Sequence, residues 1–161
     1  MRTSIVFVTG LLLGSLLAPG FAQENRLPGN TYMNHVGLAV KDFDAASTFY
    51  TQKMGFRESF VYRGQKGEPQ LGYFQIGRTS FVELRPANAA NPPGLNHFGL
   101  VVDDVKATVA ALKQRGVTVE DPRPGRQDSF VANAKDPEGT TIEIFQLGPN
   151  SPQARASGSW K

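Results

Sequence analysis

The chain contains no cysteine, two histidines and one tryptophan among its 161 residues. Without cysteine it can form neither disulfides nor thiolate metal sites, which argues against copper(I) and iron–sulfur centres. Lysine and arginine are not gathered into long runs, and the formal net charge is only +3. A nucleic-acid partner is therefore not indicated. We expect one ordinary domain that is held together by its core.

A single apolar run stands near the N-terminus. A positive start precedes an apolar stretch over residues 5–17, and a small-x-small cleavage pattern ends at Ala22. The stretch is shorter than the roughly 20 residues that span a bilayer, and no charge cluster follows it. Residues 1–22 are therefore predicted to be a cleaved signal peptide and 23–31 a linker. The mature protein is expected to be periplasmic or secreted, with no membrane contact.

Both histidines lie in two copies of one short pattern. Residues 34–42 read NHVGLAVKD and residues 96–104 read NHFGLVVDD, which agree at six of nine positions. After nearly equal intervals each copy reaches a β-branched, aromatic run that contains one carboxylate, Glu83 in SFVEL and Glu143 in TIEIF. Two histidines and two glutamates placed by a duplication suggest one symmetric metal site.

The two halves share one predicted order of elements: a strand, a helix and three strands. The first helix can be capped by Asp42 or Asp44 and the second by Asp103 or Asp104. Later strands are expected at 56–62, 71–76 and 79–85 in the first half, and at 117–119, 129–134 and 140–146 in the second. The fold class is thus α+β, with tandem βαβββ modules at 32–91 and 95–147 whose sheets form a cup. Residues 148–161, rich in Pro, Ser, Gly and Ala, are predicted to be a disordered tail.

Strand parity supports a shared site. Successive side chains of a strand face opposite sides, and each repeated His and Glu lies opposite the apolar, helix-facing positions. A lone His or Glu on a strand is usually exposed or hydrogen-bonded rather than a ligand. Burying an unpaired carboxylate in an apolar strand is costly, however, and here it happens twice. The predicted ligands of one divalent ion, Ni, Zn, Co, Mn or Fe, are His35, Glu83, His97 and Glu143.

These motifs resemble a known family. The sequence NHVGLAV, then DFDAASTFY and MGF, with DPEGT at residues 136–140 before the last glutamate, is similar to the vicinal oxygen chelate superfamily. That superfamily contains glyoxalases, bleomycin-resistance proteins and extradiol dioxygenases, and the resemblance covers residues 32–147. It implies paired βαβββ modules around a divalent metal, with ligands on the first and last strands of each module.

The ligand set is similar to that of bacterial glyoxalase I, which implies a metal-dependent lyase or isomerase. In such enzymes a carboxylate takes a proton from a carbon next to a metal-chelated oxygen. Glu143 is the predicted base and Glu83 its pseudo-symmetric counterpart. Phe81, Arg85 and Phe145 are candidates to contact the substrate in the cup, although an arginine at a strand end is equally typical of a surface charge.

Two departures from that pattern argue against glutathione adducts as the substrate. The resemblance implies Arg four residues after the first His and Asn four after the first Glu, where this chain has Ala39 and Ala87. Export would also remove the protein from the cytosol. We therefore expect another small molecule that chelates the metal through vicinal oxygens.

Other functions stay open at this point. An Fe(II) extradiol dioxygenase would need two His, one Glu and a further His for proton transfer. A drug-binding resistance protein typically lacks the metal set, whereas an epimerase shares the proton-abstraction step. The two modules could close one site within a chain or exchange between the chains of a homodimer.

Overall fold

A computed structural model describes residues 26–126 and 128–161. The predicted signal peptide, residues 1–22, and the first three residues of the linker, 23–25, lie outside the described residues. Within the described part, no helix is long and apolar enough to cross a membrane.

The first half of the domain follows the predicted order. It consists of β1 (Thr31–Val40), α1 (Phe43–Thr48) continued by a π-helical turn (Phe49–Lys53), β2 (Arg57–Arg63), β3 (Pro69–Gly77) and β4 (Ser80–Pro86). Asp42 begins α1 by accepting a hydrogen bond from the Ala45 backbone N–H at 2.9 Å. Gly55 allows the chain to leave the helical turn, because its φ of 75° suits glycine.

The second half repeats this order with a weaker second strand. It consists of β5 (Gly94–Val102), α2 (Val105–Gln114), β6 (Arg123–Pro124), β7 (Ser129–Lys135) and β8 (Thr141–Leu147). Asp104 caps α2 by accepting from two backbone N–H groups. The prediction of a strand at 117–119 was wrong in extent: only Val119 forms an isolated bridge, to Ala134. The ladder with β7 is formed instead by the two residues of β6.

All eight strands form one open sheet in the order β2-β3-β4-β1-β5-β8-β7-β6. Within each half the first and last strands pair in parallel, β1 with β4 and β5 with β8. The halves join through the antiparallel pair β1 and β5. The α+β fold with two βαβββ modules is confirmed, and the four strands that carry the predicted ligands are the central four of the sheet.

Helices α1 and α2 cover one face of the sheet. Beneath α1 lies a core around Phe43, Phe74 and Leu84, and beneath α2 lies a core that includes Val105, Val109 and Ile144. Burying these side chains is the main stabilising contribution on that face. The opposite face is therefore left for the polar site.

The predicted disordered tail is ordered in the structure. Residues 152–158 form a short helix, α3 (Pro152–Gly158), whose cap Ser151 accepts from the Ala154 N–H. Arg57 of β2 donates to the Ala156 carbonyl at 2.8 Å, and Ala156 is buried against Tyr73. Tertiary contacts, rather than an amphipathic stripe, hold this helix in place. Its sequence therefore needs no apolar periodicity, and the helix could not be predicted from one.

Candidate metal centre

The central strands align the four predicted ligands in two rows across the sheet. In one row Gly37 of β1 lies between Glu83 of β4 and His97 of β5. In the other row Gly99 of β5 lies between His35 of β1 and Glu143 of β8. Each row therefore has the order glutamate, glycine, histidine, read from opposite edges of the sheet. The repeated His-x-Gly sequence creates this arrangement because β1 and β5 run antiparallel.

The two glycines leave the space that the imidazoles occupy. A Cβ atom built on Gly37 would lie within 2.7 Å of three atoms of the His97 ring. A Cβ atom on Gly99 would lie within 2.6 Å of three atoms of the His35 ring. Each module thus supplies the glycine that makes room for the histidine of the other module.

The resulting cluster has the dimensions of a metal site. Its four ligand atoms all lie within 4.8 Å of one another, and one chain supplies all of them. The two histidine Nε2 atoms are 2.9 Å apart, and Nε2 of His35 lies 3.3 Å from Glu143 and 3.7 Å from Glu83. Neighbouring atoms bound about 2.0–2.2 Å from one ion are about 2.8–3.1 Å apart in octahedral geometry and about 3.3–3.6 Å apart in tetrahedral geometry. The spacing fits a single divalent ion.

The histidine tautomers also fit metal binding. Asn34 donates its amide hydrogens to the Thr79 carbonyl at 2.8 Å, so its Oδ1 is left to accept from Nδ1 of His35. Asn96 Oδ1 lies 2.9 Å from Nδ1 of His97 in the same way. Protons on both Nδ1 atoms leave both Nε2 lone pairs directed at each other. A cation between them relieves that repulsion. Burial lowers the pKa of His97, which also favours the neutral ligand form.

The two carboxylates differ sharply in how they are held. Glu83 is buried, and one of its oxygens accepts from the Tyr73 hydroxyl at 2.5 Å while the other accepts from Arg85 at 2.5 and 3.1 Å. Burial, followed by the charge of Glu83, raises the pKa of Tyr73 well above its usual value, so the hydroxyl stays a donor. Glu83 is thereby fixed as an anionic ligand.

Glu143 is held only loosely by comparison. Its side chain is 26% exposed, against 2% for Glu83, and opens onto the cavity above the cluster. The two imidazole Nε2 atoms lie 3.3 and 4.0 Å from it, and no other described basic side chain comes within ion-pair distance. Burial alone would raise the pKa of Glu143, but the neighbouring His35 lowers it. The result is an ionised carboxylate that faces the cavity and lacks the donors that hold Glu83.

The cavity above the cluster contains two of the three predicted substrate contacts. Arg85 and Phe145 line it, whereas the prediction for Phe81 was wrong. Phe81 is 2% exposed and packs edge-on against Tyr73 beneath the site. It shares a row with His35, so parity placed it on the correct face but not at the cavity.

Several other residues of the site were missed from the sequence. Tyr73 and Gln153 line the cavity, and Gln153 hydrogen-bonds Tyr73. The identical placing of Asn34 and Asn96 before the two histidines was a usable signal. No pattern in the sequence indicated Gln153, because its helix was predicted to be disordered.

Comparison with known proteins agrees with this geometry. The profile of the glyoxalase/bleomycin resistance protein/dioxygenase superfamily matches residues 32–144, which is most of the chain. The chain belongs to this superfamily. The superfamily resemblance noted in the sequence is thus confirmed.

Related proteins in this superfamily are lyases and epimerases. A probable lactoylglutathione lyase of Vibrio cholerae is 30% identical over 123 residues, which are 70% of this chain and 88% of that protein. A probable chloroplastic lactoylglutathione lyase of Arabidopsis thaliana is 30% identical over 126 residues, but the aligned part spans only 36% of its length. The human mitochondrial methylmalonyl-CoA epimerase is 25% identical over 128 residues. The expectation of an enzyme of lyase or isomerase type agrees with these relatives.

Solved structures of the superfamily share the fold. A Streptomyces coelicolor methylmalonyl-CoA epimerase variant in complex with 2-nitronate-propionyl-CoA superposes with a TM-score of 0.64, at 24% identity, covering 78% of this chain and 99% of that one. The epimerase of Mycobacterium tuberculosis gives 0.62 at 23% identity, covering 76% and 90%.

Proposed function

We propose that the chain is a metal-dependent lyase or isomerase of the glyoxalase I or epimerase type, which moves a proton at a carbon next to a chelated oxygen. The observation that carries this proposal is the difference between the two carboxylates. Glu83 is fixed by Tyr73 and Arg85, whereas Glu143 is free of such donors and faces the cavity. A general base needs a free lone pair within reach of the substrate, and Glu143 meets that need.

Each residue of the site has a distinct role in the proposed reaction. His35, Glu83, His97 and Glu143 would hold a divalent ion, which supplies Lewis acidity toward two vicinal oxygens of a substrate. Glu143 accepts the proton from the adjacent carbon and can return it to the same or a neighbouring carbon. The buried Tyr73 hydroxyl keeps Glu83 in place during this transfer. Phe145 forms an apolar part of the cavity wall and limits the access of water.

Glutathione adducts are not the proposed substrate. Neither Ala39 nor Ala87 lines the cavity; Ala39 is buried, and Ala87 is tied through its backbone N–H to Val40. The positions that would hold glutathione in glyoxalase I thus offer no polar side chain here. Related proteins named as lyases and as epimerases both fit the proposed proton transfer, which the two chemistries share.

The test is exchange of a substrate hydrogen with solvent. Metal-loaded protein is incubated in D2O with small hydroxy and oxo acids, hemithioacetals and acyl-CoA thioesters, and deuterium at the α carbon is followed by NMR. Glu143→Gln should retain metal, because an amide oxygen can coordinate, but lose about 10²–10⁴-fold in rate. Glu138→Gln, at an exposed turn position, is the matched control and should be unchanged.

Two results would reject this function. One is an exchange rate that Glu143→Gln leaves unchanged. The other is oxygen consumption by the iron-loaded protein with a catechol, which would favour the dioxygenase alternative.

A further inference from the structure

Three arginines surround the cavity above the metal cluster. The cavity is lined by the two glutamates and by Arg85, Arg123 and Arg126, so its wall is net positive before any cation binds. A divalent ion held by the glutamates would add to that positive charge. Such a concave, cationic surface concentrates anions.

The three arginines are not equally free. The guanidinium of Arg85 is already paired with the Glu83 carboxylate at 2.5 Å. Arg123 lies 3.9 Å from the exposed Glu120, which is a weak, solvent-screened contact. Arg126 has no carboxylate within ion-pair distance among the residues that the structure describes. Its guanidinium is therefore available to a ligand.

Arg126 is also oriented toward the cavity rather than simply solvated. Its guanidinium carbon lies 5.4 Å from the ring centroid of Tyr62, which lines the same cavity. Tyr62 is on β2 and Arg126 follows β6, and these are the two outermost strands of the open sheet. The contact thus spans the mouth of the cup. Stacking leaves the edge of the guanidinium, which carries its N–H donors, free for bidentate binding of an anion.

We propose that Arg126, assisted by Arg123, binds a second anionic group of the substrate, so that the substrate is a small acid with a charge away from its chelating oxygens. This inference rests on the proposed function for the chelating end. The distal group is a carboxylate or a phosphoryl group, since both accept paired hydrogen bonds from a guanidinium.

The size of the cavity restricts the substrate further. Its volume is about 160 Å³, close to the roughly 150 Å³ that holds benzene and below the roughly 300–1,000 Å³ of pockets for larger ligands. Gln153 of α3 closes one side. A molecule of a few carbon atoms fits inside, whereas most of a glutathione adduct or a coenzyme A thioester would extend beyond the wall.

The test compares three α-hydroxy acids that share one chelating group. L-malate has a distal carboxylate, 3-phosphoglycerate a distal phosphoryl group, and 2-hydroxybutyrate a neutral methyl end. Their dissociation constants for the metal-loaded protein are measured by calorimetry with the native chain, Arg126→Gln and Arg126→Lys. Arg63→Gln is the matched control, because Arg63 is exposed and donates only to the Gly67 carbonyl.

We expect at least one of the two acids with an anionic distal group to bind about 10- to 100-fold more tightly than 2-hydroxybutyrate. Arg126→Gln should abolish this preference without changing the affinity for 2-hydroxybutyrate, Arg126→Lys should restore part of it, and Arg63→Gln should leave it intact. The preference should also decrease with added salt. The acid that binds more tightly, L-malate or 3-phosphoglycerate, identifies the distal group as a carboxylate or a phosphoryl group.

Three outcomes would overturn the subsite: equal affinity for all three acids, an equal loss for all three in Arg126→Gln, or no measurable binding of any. Because the measurement is of binding, it is separate from turnover. A charge preference without Glu143-dependent hydrogen exchange would keep the subsite and reject the function. Glu143-dependent hydrogen exchange together with equal affinity for all three acids would keep the function and reject the subsite.

Discussion

Substitution of Gly37 by alanine tests whether the glycines of the repeat exist to admit the histidines. The added Cβ would lie within 2.7 Å of Nε2, Nδ1 and Cε1 of His97. Restoring ordinary contact, at about 3.4 Å or more, displaces the nearest ring atom, Cε1, by about 1.3 Å and Nε2 by at least about 0.7 Å. Metal–ligand distances tolerate only about 0.2 Å. Gly37→Ala should therefore lose His97 as a ligand while its backbone, in an ordinary extended conformation, is retained.

The expected loss of metal affinity in Gly37→Ala follows from the loss of one ligand in four. Disturbing a residue behind a ligand costs about 10- to 100-fold in metal affinity, so removing the ligand itself should cost at least about 100-fold. Crowding in the apo protein should cost about 1–3 kcal/mol of unfolding free energy. Metal affinity is measured by competition with a chelator, and stability by urea denaturation of the apo form.

A second glycine provides the control for Gly37→Ala, and a double variant tests whether the glycine acts through His97. Gly77→Ala adds a methyl group where nothing lies within 4 Å, so metal affinity should be unchanged. In the double variant Gly37→Ala/His97→Ala, affinity should be no lower than in His97→Ala, because both changes remove the same ligand. An unaltered affinity in Gly37→Ala, or full additivity in the double variant, would show that the glycine has another role.

Three further predictions follow from the structure and the sequence. Asn34→Ala should weaken metal binding by about 10- to 100-fold, because it frees the His35 ring, whereas Asn150→Ala, remote from the cluster, should not. Ile144→Ala should cost about 2–5 kcal/mol in chemical denaturation, because Ile144 is 2% exposed, while the 64% exposed Leu95 should tolerate alanine within about 0.5 kcal/mol. We propose that residues 1–22 are a signal peptide, so N-terminal sequencing of exported protein should begin near Gln23; retention of residues 5–17 would indicate an anchor instead.

The sequence predicted best what depends on periodicity and repetition. Strand parity placed His35 and Glu83 on the face away from the helices, because one residue of shift would have turned each side chain into the core. The order of elements followed from the repeat in the same way. These are local rules, and the pattern of apolar residues expresses them directly.

Features that depend on long-range contacts were not predictable. The strand expected at 117–119 contributes only a bridge, since the partner strand β7 pairs mainly with β8 and with the two residues of β6. Helix α3 is fixed by Arg57, roughly a hundred residues earlier in the chain. Phe81 shares the face of the ligands but packs into a core cluster with Leu71, Tyr73 and Ala156, and these contacts come from another strand, β3, and from α3.

Helix α3 has a consequence for how this fold can change over evolution. It lies beyond residues 32–144, the part that matches the superfamily profile, yet it contributes Gln153 to the cavity wall. Insertions or replacements in this appended segment can resize the cavity while every metal ligand stays in place. One part of the cavity wall is thus encoded outside the stretch that carries the four predicted ligands.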